Sequence, residues 1–119
     1  MRKTINISGK EVELLATATT PIRFKQIFKS DLMLAFNNIN KGKVEETDSI
    51  DIVTQMAYIM ARQAENETEK LSEEDYFNWI DKFGSMGFIN AASDIIDVYL
   101  EGAKTNAKPK NAASRPKGK

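Results

Sequence analysis

Apolar and polar residues alternate over residues 3–7, which puts Ile5 and Ile7 on one face of an extended segment. Ser8-Gly9-Lys10 supplies a turn. Glu11 to Ala18 resumes an extended pattern, with Val12 and Leu14 on one side. The two runs predict a β-hairpin. Two strands alone are marginal in water, so the hairpin must lie on helices.

Helical spacing follows. Thr20-Pro21 opens a first helix, with Thr placed to accept free N–H groups and Pro preset for the first turn. Phe24, Ile27 and Phe28 form its apolar face. An unbroken helix would set Asp31 inside that face, where a bare carboxylate is costly. The pattern therefore predicts a break at Ser30-Asp31, where either residue caps a second short helix through Leu32, Leu34, Ala35 and Phe36. Residues 37–47 read as a polar loop. A long helix is expected from Asp48 to Ala64, with Val53, Met56, Ala57, Met60 and Ala64 on one stripe. Ile50, Ile52, Ile59 and Ala61 widen that stripe to roughly 200° at about 100° per residue, and Tyr58 and Arg62 fall outside it. Ser72 should cap the next helix, with Glu73, Glu74 and Asp75 in its first turn. Tyr76, Ile80 and Phe83 centre its apolar face, flanked by Phe77 and Trp79. Gly84 and Gly87 punctuate, and a last helix is expected over about Phe88–Glu101, ended by Gly102. Its polar side is narrow: Asn90, Ser93, Asp94, Asp97 and Glu101. The fold class is α+β, an N-terminal hairpin packed on about four to five helices.

Charge divides the chain in two. Residues 1–102 carry 11 basic and 17 acidic side chains, a balance of −6. Residues 103–119 carry Lys104, Lys108, Lys110, Arg115, Lys117 and Lys119 and no acid. The neutral total hides an acidic body, residues 1–102, and a basic tail, 103–119, too poor in apolar residues to fold and expected to be disordered. Charge blocks of this kind act through association rather than through fold.

The chemistry that the composition allows is narrow. The chain has no Cys and no His, which removes disulfides, thiolate metal sites and the commonest general base. No cofactor or metal site is expected, and no catalytic residue stands out. The acids Glu65, Glu67, Glu69, Glu73, Glu74 and Asp75 lack the essential Gly around which a calcium loop sets its alternating ligands. Lys41-Gly42-Lys43 lacks the strand and the Ser/Thr of a phosphate-binding loop. The first residues form neither a leader nor a membrane span, so a soluble, cytoplasmic protein is expected. The tail could meet phosphates, but no aromatic residue interleaves its cations to stack bases. A small nucleic-acid-associated regulator is thus the second reading.

The wide apolar arcs of the long and last helices have two explanations. Each helix is central in a small bundle, or surplus apolar surface meets a partner or a second copy. Tyr58, Trp79, Phe83, Met86 and Phe88 are the candidate partner-binding residues, because aromatics and Met are enriched where proteins meet.

The run Ala16-Thr17-Ala18-Thr19-Thr20-Pro21-Ile22-Arg23-Phe24-Lys25-Gln26-Ile27-Phe28-Lys29-Ser30-Asp31-Leu32 resembles the N-terminal signature of tail assembly chaperones of long-tailed phages and prophages of Gram-positive bacteria. Met56-Ala57-Tyr58-Ile59-Met60-Ala61-Arg62-Gln63 resembles that family's central helix, and Tyr76-Phe77-Asn78-Trp79-Ile80-Asp81-Lys82-Phe83 its aromatic-acidic helix. The final Ile/Leu-rich helix with its Lys/Pro/Ala tail is similar too. The resemblance implies a non-enzymatic protein of the host cytoplasm. Such a protein coats the tape-measure protein, keeps it soluble, recruits major tail (tube) subunits, self-associates, and is absent from the finished virion. It also implies that a longer, frameshifted form exists in many members.

Overall fold

A computed structural model describes residues 2–32, 34 and 46–107. Strands β1 (Arg2–Ile7) and β2 (Lys10–Leu15) form an antiparallel hairpin. Its register runs from Arg2 opposite Leu15 to Ile7 opposite Lys10. The turn is therefore two residues, Ser8 and Gly9, and Lys10 already belongs to β2. Both turn residues have positive φ, 54° and 83°, which matches the right-handed twist of the strands. The Asn6 side chain accepts the Gly9 N–H at 3.0 Å. Ile5, Ile7 and Leu14 are buried, as the alternation requires.

β2 ends at Leu15, three residues before the expected Ala18. Local hydroxyls account for this. The Thr17 N–H donates to Thr20 Oγ1 at 3.0 Å, and the Thr17 and Thr19 hydroxyls lie 2.9 Å apart. Side chains that bond nearby backbone compete with the strand ladder. Helix α1 (Thr20–Phe28) follows, with Pro21 in its first turn. Thr19, not Thr20, holds the cap position, and it makes no side-chain cap bond. Thr20 turns inward instead, where its hydroxyl also accepts from Gln63 Nε2 at 2.9 Å. Lys29 adopts a left-handed conformation and ends α1. Asp31 Oδ1 then accepts the Leu34 N–H at 3.0 Å, so the break falls where the apolar pattern demanded it. Ala35, Phe36 and the expected loop up to residue 45 lie outside the described residues.

Helix α2 (Glu46–Ala64) begins two residues before Asp48. Its end is fixed by Asn66, whose positive φ returns the chain and lets the Glu67 N–H reach the Arg62 carbonyl at 2.9 Å. A single 3₁₀ turn (Thr68–Lys70) leads to α3 (Glu73–Ile80). Ser72 Oγ accepts the Asp75 N–H at 3.0 Å, the cap that the sequence signals. Phe83 lies in the turn after α3.

Helix α4 (Ser85–Ala107) is longer at both ends than expected. Glycine marks close approach here, not termination. A Cβ on Gly87 would sit 1.8 Å from Ser8 Oγ, and one on Gly102 would sit 2.5 Å from the Ala16 Cβ. The hairpin tip and the end of β2 thus rest directly on the α4 backbone. Ser8 Oγ also accepts the Gly84 N–H and donates to the Gly84 carbonyl, both at 3.1 Å. Residues 103–107, placed in the tail from sequence, continue α4, and residues 108–119 lie outside the described residues.

The hairpin packs on four helices, giving an α+β fold. β2 lies chiefly on α2 and β1 on α4, while α1, α3 and α4 all contact α2. The core runs from Ile7 and Leu14 through Met56, Ile59 and Met60 to Ile95 and Val98.

Candidate interaction surface

α2 sits at the centre of the molecule. From Val53 to Ala61 every residue except Gln55 is buried. The middle of its broad apolar arc is therefore consumed inside the fold, while Ile50, Ile52 and Ala64 at its ends are half-buried. Tyr58, outside the stripe by helical spacing, is fully buried as well. Its phenol explains how. The Tyr58 hydroxyl donates to Asp75 Oδ2 at 2.7 Å and lies 3.2 Å from the Ser72 N–H. Arg62 holds the same carboxylate with two N–H groups, Nε at 2.8 Å and Nη2 at 3.0 Å, and reaches Glu65 at 2.7 Å.

This cluster ties α2 to the capped start of α3. Burial raises the Tyr58 pKa, the neighbouring Asp75 raises it further, and it is pushed up to about 12. Burial alone would raise Asp75, but the bonds from Arg62 and Tyr58 and the charge of Arg62 outweigh it, so its carboxyl lies below the ordinary value. At neutral pH the phenol keeps its proton and the carboxylate its charge. Three of the acids at 65–75 are spent on such pairs: Glu65 and Asp75 on Arg62, Glu67 on Lys70. Among the described residues no group of three or more Asp or Glu is placed to hold a metal ion.

An aromatic chain runs from α1 to α4. Phe28 meets Tyr76 at 4.9 Å, Tyr76 meets Tyr58 at 5.4 Å, and Tyr58 meets Trp79 at 5.8 Å. Trp79 then meets Phe83 at 5.0 Å and Phe88 at 5.7 Å. The structure thus gathers four of the five candidate partner-binding residues, but as core. Tyr58, Trp79 and Phe88 are buried and offer no surface to a partner; Phe83 is half-buried. Their rings serve packing against one another, worth about 0.5–1.5 kcal/mol per pair beyond area burial. Met86 stands apart, 60% exposed at the start of α4.

Met86 heads a feature that the apolar pattern did not resolve. Phe88, Ala91, Ile95, Val98 and Tyr99 are the buried face of α4. Met86, Ile89, Ser93, Ile96 and Leu100 fall within about 80° of one another on a second face, at about 100° per residue. Ile89 is 47% and Leu100 39% exposed, and Ile96 is half-buried. The exposed residues Asn90, Asp94, Asp97 and Glu101 border this face on one side. Elsewhere Ile22, Leu34 and Phe77 are also exposed. The spacing of Met86, Ile89, Ile96 and Leu100 could have identified the stripe, but nothing in sequence says which half of a broad arc a fold will cover.

The described surface also carries two shallow clefts. One of about 350 Å³ lies at the hairpin tip between Ser8, Gly9, Met86 and Asn90. The other, about 310 Å³, lies between β2 and α3, walled by Val12, Glu13, Trp79 and Phe83. No helix among the described residues is long and apolar enough to cross a membrane. No family model, curated protein or solved structure matches the chain.

Proposed function

We propose that this protein is a phage tail assembly chaperone. It binds the tape-measure protein, keeps it soluble, and helps recruit tail-tube subunits before leaving the finished particle. The proposal starts from the resemblance of the 16–32, 56–63 and 76–83 segments to that family. The observation that carries it furthest is the outward apolar stripe of α4, Met86, Ile89, Ile96 and Leu100, on a body whose Phe24, Tyr58, Ile59, Met60 and Ile95 are already packed inside. Exposed apolar area beside charge suits reversible adhesion to other proteins. Weak contacts repeated along a long client would hold it firmly yet release it stepwise as tube subunits arrive. The acidic body keeps a loaded complex soluble through net charge. Action is in the host cytoplasm, with no bond made or broken.

Co-expression with the tape-measure protein tests this. The client should move from the insoluble to the soluble fraction and co-elute with the chain. A client that stays insoluble, with no complex on a sizing column, would end the proposal. Binding to duplex DNA at physiological salt that disappears on removing residues 103–119 would favour the nucleic-acid regulator instead.

A further inference from the structure

We infer that the outward face of α4 is a docking surface for an amphipathic helix carrying Lys or Arg along one flank, and that, on the chaperone reading, the occupant is such a helix of the client. Met86 to Leu100 spans about 21 Å at about 1.5 Å per residue, the length of four helical turns. Apolar side chains at that spacing receive a partner helix through its own positions i, i+3 or i+4, and i+7. An apolar stripe on a folded 23-residue helix is organised before the partner arrives, which lowers the ordering cost of binding.

The flank decides the chemistry of the occupant. Asp94, Asp97 and Glu101 line one edge of the stripe and are exposed. Among the described residues no Lys or Arg forms an ion pair with Asp94 or Asp97. From Ser85 to Gly102 the helix holds no basic residue at all. A cation-bearing flank on the occupant meets these acids across the rim, and an acidic one is rejected there. A second copy of this face, residues 86–101, brings the same acids and no cation, so its self-pairing is poorly matched. The chain's own basic tail has the cations but no large apolar residue to cover Ile89 and Leu100. An amphipathic basic helix satisfies both the stripe and its edge.

Two synthetic probes test this on the full-length chain. One is a dye-labelled amphipathic helix with a Leu stripe and Lys on its flank; the other carries Glu in place of each Lys. The Lys peptide should bind, and the Glu peptide should bind at least about tenfold more weakly, with the gap closing at high salt. Ile89→Ser with Leu100→Ser should weaken the Lys peptide by about tenfold or more. Asp94→Lys with Asp97→Lys, which leaves the apolar residues in place, should reverse the order of the two peptides. Equal binding of both peptides, or serine and lysine variants that behave as wild type, would overturn the inference. The co-expression assay separates this from the function itself. If wild type solubilises the tape-measure protein and the serine variant does so equally well, the face is wrong and the chaperone reading stands. If wild type fails to solubilise it while the peptide results hold, the docking face stands and the chaperone reading falls.

Discussion

Helices α2 and α4 have the same kind of sequence and opposite fates. Each carries an apolar arc much wider than a surface helix needs. In α2 the arc from Val53 to Ala61 is covered by the hairpin, α1, α3 and α4, so its width is the mark of a central helix. In α4 the arc splits, with Phe88, Ile95 and Val98 turned inward and Met86, Ile89 and Leu100 turned out. Width of an apolar arc therefore measures how much surface a helix must hide. It does not say whether its own chain does the hiding.

Substitution at matched positions separates the two helices most directly. Ile59→Ala in α2 should cost about 2–5 kcal/mol of unfolding free energy, because Ile59 is fully buried and a cavity remains. Ile89→Ser in α4 should stay within about 0.5 kcal/mol. Urea titration of both variants gives the two values, and similar losses would mean that the two arcs do not differ.

Next in size is Gly102→Ala. Its new Cβ meets Ala16 at 2.5 Å, and the hairpin end must move or the helix must bend. A loss of about 1–3 kcal/mol is expected from overpacking, against the gain that Ala brings in an exposed helix. A stabilised Gly102→Ala protein would show that β2 does not rest on α4.

Smaller again is Tyr58→Phe, which keeps the ring and removes one donor to Asp75, at about 1–1.5 kcal/mol. Its pH dependence has a defined sign. Tyr58 has a raised pKa when folded, so its share of stability is present below pH about 10 and fades as pH climbs toward about 12. Tyr58→Phe should show a shallower decline across that alkaline range. Asp75 is lowered when folded, so its share is present above its unfolded pKa and is lost as pH falls below about 4. Asp75→Asn should flatten that acid limb, and unfolding midpoints measured across pH would show either slope unchanged if the cluster is not formed.

The elements that sequence reveals are those set by local chemistry. The hairpin follows from strict alternation, the α1 break from the cost of burying Asp31, and the start of α3 from the Ser72 cap. What sequence conceals depends on residues far along the chain. Gly87 and Gly102 look like stops, yet each is there because Ser8 or Ala16 presses on the backbone. Tyr58 looks like a surface aromatic until Asp75, on another helix, supplies its hydrogen bond. Trp79 and Phe88 carry the composition of an interface and are spent on each other at 5.7 Å. Of the five residues whose type suggested a partner, only Met86 stands well into solvent, and it does so beside Ile89 and Leu100, whose types suggested nothing.

Methyl spectra of the chain, labelled at Met, Ile and Leu and recorded with and without the tape-measure protein, test the division between the two helices most directly. The signals of Met86, Ile89, Ile96 and Leu100 should shift or broaden, while those of Met56, Ile59 and Met60 stay in place. A complex that leaves the α4 methyls untouched, or that perturbs α2 as strongly, would contradict an outward adhesive face on an otherwise closed fold.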